Sequence, residues 1–288
     1  MKMNENQDDV IELFTDSEMV SVCSLIDELR LKMGILQEYL LKRETRTNET
    51  NLSAMYRFEN FLPYDGNMLA YSSAKAASAG DMICNPICIY GTSGNGKTHL
   101  LQAIGNEIIA REPDKKVFYN TAEFFVDVSL STMRRGWDKV KCLRQRYKSV
   151  DVLLLDDIQI FNGKEASSQE LANIVDSLYR AGKLVVMTSN KNPKELTELN
   201  EHVINLVNSG LVVEIVAPDQ SVKRSIVRKK AHEAGIKLSD EVIDYIASLC
   251  NLNISEIEGA IKCMKAYSRM VIDEVSLDKA KAILEYFL

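Results

Sequence analysis

The sequence predicts an α/β protein: a parallel β-sheet covered by helices on both faces, followed by a small all-helical domain. Three observations predict it. From about Tyr56 onward, short apolar runs alternate with longer runs of helical periodicity. The short runs are apolar at nearly every position, as strands buried on both faces require. After Pro218 the strand-like runs cease and only helical patterns remain. The strand-like runs are 87–90, 117–119, 150–155, 184–189 and 211–216. Helix-like runs at 98–111, 123–132, 139–147 and 167–181 fall between most of them. Beyond Pro218 come helices at 220–234, ended by Gly235, at 239–250 and at 254–270, then a last one from Ser276 onward. These runs divide the chain into 1–50, 51–218 and 219–288.

The first division is an N-terminal helical extension. Ser17 is placed as an N-cap, and Met19, Val22, Ile26, Leu29, Met33, Leu36 and Leu40 recur at alternating spacings of three and four. That is a heptad seam over 17–42, widened by Leu25, Leu31, Ile35 and Tyr39. Two readings stay open: a helix docked on its own domain, or one that self-associates or takes a partner helix. The polar run 43–51 reads as a linker.

The chain has 288 residues, 46% of them apolar and 26% charged, which is globular composition and excludes a disordered or fibrous chain. The formal charge of −6 excludes a global basic field that would draw the protein onto nucleic acid. Residues 1–50 hold 6 basic and 11 acidic residues, so nearly all the excess sits there and the remaining body is close to neutral. No run approaches the roughly 18 apolar residues of a membrane span, and the polar, acidic start does not read as a signal peptide. The expectation is a cytoplasmic protein. Its six cysteines are scattered and its three histidines lie far apart, so free, buried thiols are expected rather than a zinc site.

The chemistry is concentrated in two places. Gly91-Thr92-Ser93-Gly94-Asn95-Gly96-Lys97-Thr98 fits G-x-x-x-x-G-K-[ST] and stands between a strand and a helix, the context such a loop requires. Its glycines let backbone N–H groups converge on phosphate oxygens, and the helix N-terminus adds its positive dipole end. Lys97 is placed to reach the β- and γ-phosphates and Thr98 to ligate Mg²⁺. The second place is the end of the run 150–155, where Asp156 and Asp157 follow. Asp156 is placed for the metal, and Asp157 to polarise an attacking water. Ligands bind at the C-terminal ends of strands in such sheets, and two carboxylates there are costly without a cation. Asn190 follows the run 184–189 and reaches the same crevice. It reads equally as a group that orients water or senses the γ-phosphate and as an ordinary turn residue.

With these motifs in place the sequence resembles the AAA+ ATPases, and within them the family of the bacterial chromosomal replication initiator DnaA. The resemblance is carried by Tyr56-Arg57-Phe58-Glu59-Asn60-Phe61, by Asn85 to Gly91 and Gly96 to Asn106, by Ser149 to Gln159, and by Ile257-Glu258-Gly259-Ala260. It covers about residues 56–288. It implies the AAA+ fold, an α/β nucleotide-binding domain with a helical lid, that binds ATP or ADP with Mg²⁺. It places Phe58, Phe61 and Asn67 where the family's N-terminal strap covers the adenine, and Asn190 at the first sensor, where the family usually has an acidic residue.

The departures matter as much. The family carries arginines after Leu199, one of them a finger into the neighbouring subunit's ATP; here no Lys or Arg occurs between Lys194 and Lys223. The family's second-sensor arginine is Ser255 here. The resemblance therefore implies intact ATP binding with at most weak Mg²⁺-dependent hydrolysis. The family's C-terminal helix-turn-helix domain has no counterpart before Leu288, so duplex origin reading is not expected. The segment 134–148 holds Arg134, Arg135, Lys139, Lys141, Arg144, Arg146 and Lys148 against the single acid Asp138. It falls where the family grips single-stranded DNA, with Trp137 able to stack a base, though a solvated helix face explains the charges equally. The expected role is an ATP-binding protein of replication initiation or its regulation, whose acidic helix recruits the initiator or the replicative helicase. An active helicase loader and a non-catalytic cap on an initiator filament are the alternatives.

Overall fold

In the computed structural model the described residues are 50–249, 253–270 and 276–285. The heptad-spaced segment 17–42 lies outside them, as do Cys23 and Cys250. Residues from Thr50 onward form one unit.

At its centre is a five-stranded sheet of β1 (Ile87–Tyr90), β2 (Val117–Thr121), β3 (Val152–Asp156), β4 (Leu184–Ser189) and β5 (Leu211–Glu214), in the order β2-β3-β4-β1-β5. All four pairings are parallel. Side chains alternate between two apolar layers. Leu153 and Leu155 of β3 join Val185 and Met187 of β4 in one layer, while Val152 and Leu154 join Leu184 and Val186 in the other. That division makes β3 and β4 buried along their whole length and explains why their sequences are apolar without alternation. The expected strand 150–155 is shifted, because the charged Asp156 completes β3 and apolar counting stopped short of it.

One layer is closed by α1 (Met68–Ser78) and α2 (Lys97–Arg111), which supply Ala70, Ala74, Leu100 and Ile104. The other is closed by α3 (Ala122–Arg134), α4 (Trp137–Lys148), α5 (Glu165–Arg180) and α6 (Glu201–Asn208). The sequence did not mark α1 or α6. The buried face of α1 is made of three alanines and Ser78, whose weak apolar signal hides the periodicity, and α6 is only 8 residues long. Helices α7 (Gln220–Ala234), α8 (Asp240–Ser248), α9 (Ile254–Met270) and α10 (Leu277–Glu285) share their own core around Ile226, Val242, Ile246, Ile257 and Met264. Asp219 and Ser239 cap α7 and α8 by accepting backbone N–H groups, and Gly235 ends α7 in the left-handed region at φ 71°. Leu62, from the segment before α1, packs against this second core.

Candidate functional site

The loop between β1 and α2 is wedged in place. Gly91 and Gly94 adopt φ of 147° and 80°, which side chains rarely tolerate. A Cβ on Gly91 would stand 2.4 Å from the Ile215 carbonyl oxygen, and one on Gly94 2.3 Å from the Asn253 side chain. The loop hands over to the 15-residue helix α2, whose first N–H groups and dipole face an incoming anion. Lys97 is buried and its Nζ donates to the Thr92 carbonyl at 2.9 Å. Burial lowers its pKa, while Asp157 and Asp156 work in the other direction. Asn95 donates to Thr92 Oγ1 at 2.6 Å and holds the loop's interior, its own buried Oδ1 accepting from no group among the described residues. Ser93 lies in the same glycine-rich turn.

Asp156 stands at the end of β3 with 3% exposure. Its Oδ2 accepts from Thr98 Oγ1 at 2.8 Å and from the Tyr119 hydroxyl at 3.0 Å, and its Oδ1 accepts from the Thr188 hydroxyl. Burial raises the Asp156 pKa; the Thr188 and Thr98 hydroxyls oppose it, and Asp157 adds to it. Burial, reinforced by Asp156, raises the Tyr119 hydroxyl well above its usual value. Thr98 and Asp156 thus meet at one point beside the loop. That hard-oxygen pair fits a divalent cation, and the glycine cradle with Lys97 at its floor fits a phosphate chain. Tyr119 and Thr188 were missed by sequence reading; only the sheet order, which flanks β3 with β2 and β4, brings them to Asp156.

Asp157 is the first residue off the strand, with φ 62°. Its N–H donates to Thr188 Oγ1 at 2.9 Å. Its carboxylate accepts from Gln159 Nε2 at 2.9 Å, and Gln159 Oε1 accepts the N–H of Asn190 at 3.0 Å. Gln159 also went unmarked in the sequence.

Asn67 stands apart from this cluster. It is buried at the N-terminus of α1, accepting the Tyr64 N–H at 2.8 Å and donating to the Leu62 carbonyl at 3.2 Å, so its amide shapes the segment before α1. Phe61 reaches the loop itself: its ring edge lies 2.9 Å from where a Cβ on Gly96 would stand. Phe61 stacks on Tyr71 and meets His99 edge-on, while His99 Nε2 lies 2.7 Å from the Arg57 carbonyl and serves as its donor. A cleft opens here between Phe61, Leu62, Gly96, His99, Ile226 and Ile254. The helical bundle meets the loop directly, since the N–H of Ser255 donates to the Gly94 carbonyl at 3.3 Å.

The basic segment divides in two. Arg144 makes two hydrogen bonds to the buried Glu170, at 2.6 and 2.7 Å, and Arg146 lies over the Phe118 ring at 5.1 Å. Both serve the fold. Arg134, Arg135, Lys139, Lys141 and Lys148 are exposed and pair with no carboxylate among the described residues. Trp137 is 78% exposed at the start of α4. The thiols also divide: Cys88 is buried as expected, whereas Cys84 and Cys263 are half-buried and Cys142 is exposed, contrary to expectation. No described helix is long and apolar enough to cross a membrane.

A parallel sheet with a glycine-rich phosphate loop after β1, paired acids at the end of β3 and a helical bundle against the loop defines an AAA+ nucleotide-binding module. The bacterial DnaA ATPase domain family matches residues 52–214, and the chain belongs to that family. The chromosomal replication initiator DnaA of Lactobacillus johnsonii is 37% identical over 244 residues, 84% of this chain and 53% of that protein. This chain therefore spans about half the length of such relatives. The crystal structure of domain III of the Thermotoga maritima initiator DnaA superposes with a TM-score of 0.77 at 35% identity, covering 82% of this chain and 98% of that one. A DnaA structure bound to AMPPCP and single-stranded DNA gives a TM-score of 0.69 at 37% identity, over 74% of this chain and 66% of its own.

Proposed function

We propose that this chain binds ATP or ADP with Mg²⁺ at residues 91–98 and works in the initiation of DNA replication, or its regulation, through nucleotide-dependent protein contacts. The observation that carries the reading is the meeting of Thr98 with Asp156 beside the phosphate loop, in a chain of the DnaA family. Backbone N–H groups of Gly91, Thr92, Ser93, Gly94, Asn95 and Gly96 hold the phosphates, and Lys97 reaches the terminal ones. Thr98 and Asp156 hold the Mg²⁺, which neutralises phosphate charge when bound. Asp157 orients a water and Asn190 faces the terminal phosphate. Phe61 closes on the base, with Asn67 bracing the strap behind it.

Hydrolysis is weak in this reading. Neither α6 nor β5 carries a Lys or Arg to supply a cation to a neighbour's site, and Ser255 offers the phosphates no charge. Residues 51–218 form the nucleotide-binding domain and 219–288 act as its lid, whose position reports the nucleotide. The acidic 1–50 extension docks the partner, the replication initiator itself or the replicative helicase, or pairs with its own copy, in the cytoplasm. Five exposed cations, paired with no carboxylate among the described residues, beside an exposed Trp137 favour a second activity, sequence-independent contact with single-stranded DNA along 134–148.

The test is equilibrium binding of ATP and ADP to the full chain with and without Mg²⁺, beside Lys97→Ala. The variant should lose at least tenfold in affinity, a charge-assisted hydrogen bond contributing about 1.5–3 kcal/mol. The initiator or helicase should co-purify with ATP present and not with the variant. Wild-type chain that takes up no nucleotide would overturn the reading.

A further inference from the structure

We propose that Gln159 is a positioning residue that locks the Asn190 backbone to the Asp157 carboxylate, so that both respond together to the terminal phosphate of a bound nucleotide. The proposal rests on the nucleotide reading above and deepens it.

Gln159 lies in a short 3-10 helix, Ile158–Phe161, that follows the paired acids. Its amide works at both ends, donating to Asp157 Oδ1 at 2.9 Å and accepting the Asn190 N–H at 3.0 Å. A carboxamide offers a donor and an acceptor side by side in one planar group, whatever the pH. The partners it joins are otherwise constrained. Asp157 has a left-handed backbone, its N–H is held by Thr188 Oγ1, and the Thr188 hydroxyl is itself spent on Asp156. With Oδ1 taken by Gln159, Oδ2 of Asp157 accepts from no described residue and is the oxygen left for a water. On the other side, the Ser189 carbonyl accepts the N–H of Gly91, the first residue of the phosphate loop, at 3.2 Å. A continuous line of contacts therefore runs from Gly91 through Ser189 and Asn190 to Gln159 and Asp157. Motion of the loop on filling by a third phosphate is passed along that line to the acid, the kind of contiguous network that carries coupling.

Two substitutions separate this role from simple packing. Gln159→Met keeps the length and loses both hydrogen bonds. Gln159→Glu keeps the acceptor for Asn190 but loses the donor and sets a second negative charge against Asp157. The full-length chain, both variants and Lys97→Ala are titrated with Mg²⁺-AMPPCP and with ADP, and thermal midpoints are recorded. Both Gln159 variants should hold ADP within twofold of wild type while their preference for AMPPCP over ADP falls about tenfold. Single-turnover ATP hydrolysis should slow by a similar factor. A preference within twofold of wild type overturns the proposal. So does a joint loss of both nucleotides with a lowered midpoint, which would assign Gln159 to packing. If wild type binds AMPPCP and ADP equally, the nucleotide reading stands and the coupling falls. If wild type binds neither and matches Lys97→Ala, both fall together.

Discussion

The thiol of Cys88 sits in β1 with no exposure, and burial pushes its pKa up to about 12. Cys142 stands exposed on α4 among the basic side chains. The thiolate is the reactive form, so burial denies Cys88 both access and ionisation, while Cys142 is open to solvent. With a colorimetric disulfide reagent at pH 8, Cys142→Ser should lower the thiol count of the folded chain by one. Cys88→Ser should leave the folded count unchanged and lower only the count in denaturant. A Cys88 that reacts in the folded chain at the rate of Cys142 would contradict its placement inside the sheet. The sequence offered no means of separating these two thiols. Both lie in runs with helical or strand-like patterning, and only the layer each face joins decides the outcome. The paired acids behave in the same way. Asp156 and Asp157 were legible as a site because two carboxylates ending an apolar strand need a cation. The three hydroxyls that Asp156 receives come from residues 58, 37 and 32 positions distant, and no spacing rule reaches them.

At the scale of an element, the start of α9 joins stability to the site. The Asn253 side chain accepts the Glu256 N–H at 2.9 Å and Glu256 accepts the Asn253 N–H at 3.1 Å, a reciprocal cap. The same Asn253 side chain occupies the space over Gly94 that a Cβ there would need. Asn253→Ala should therefore destabilise the chain by about 1 kcal/mol in denaturant unfolding, with Asn253→Ser retaining most of it. It should also loosen the seat of α9 on the loop, read as a change in ADP affinity larger than for an N-cap substitution at Ser239. Equal effects on ADP at the two caps would show that the α9 contact plays no part in binding. The elements themselves were largely legible. Each apolar strand-like run entered the sheet, because burial on both faces leaves continuous apolar sequence that few other structures produce. Helix α1 escaped because Ala70, Ala74 and Ala77 bury a face with almost no apolar bulk. Gln159 escaped because its role exists only where the ends of β3 and β4 come together.

Across the whole molecule the charge is partitioned, and the partition makes a prediction that the total of −6 conceals. The exposed cations run from the junction of α3 and α4, with Arg134, Arg135 and Lys139, along α4 through Lys141 to Lys148 at its C-terminal end, while Arg144 and Arg146 are turned to Glu170 and Phe118. If this face holds single-stranded DNA, each phosphate contact releases counterions, and log affinity falls with log salt at about −0.7 per contact. Five contacts at most give a slope of about −3.5 for the wild-type chain. Lys139→Ala with Lys141→Ala should make it shallower by about 1.4. Trp137→Ala should instead cost about 1–3 kcal/mol of binding, through lost base stacking, and leave the slope unchanged. Arg144→Ala should act differently again, lowering the thermal midpoint because it strands the buried Glu170. Fluorescence anisotropy with a labelled oligonucleotide over a salt series measures the first three, and thermal unfolding measures the fourth. A slope unmoved by the double lysine substitution would make this face a solvated one and confine the protein's work to its nucleotide and protein contacts.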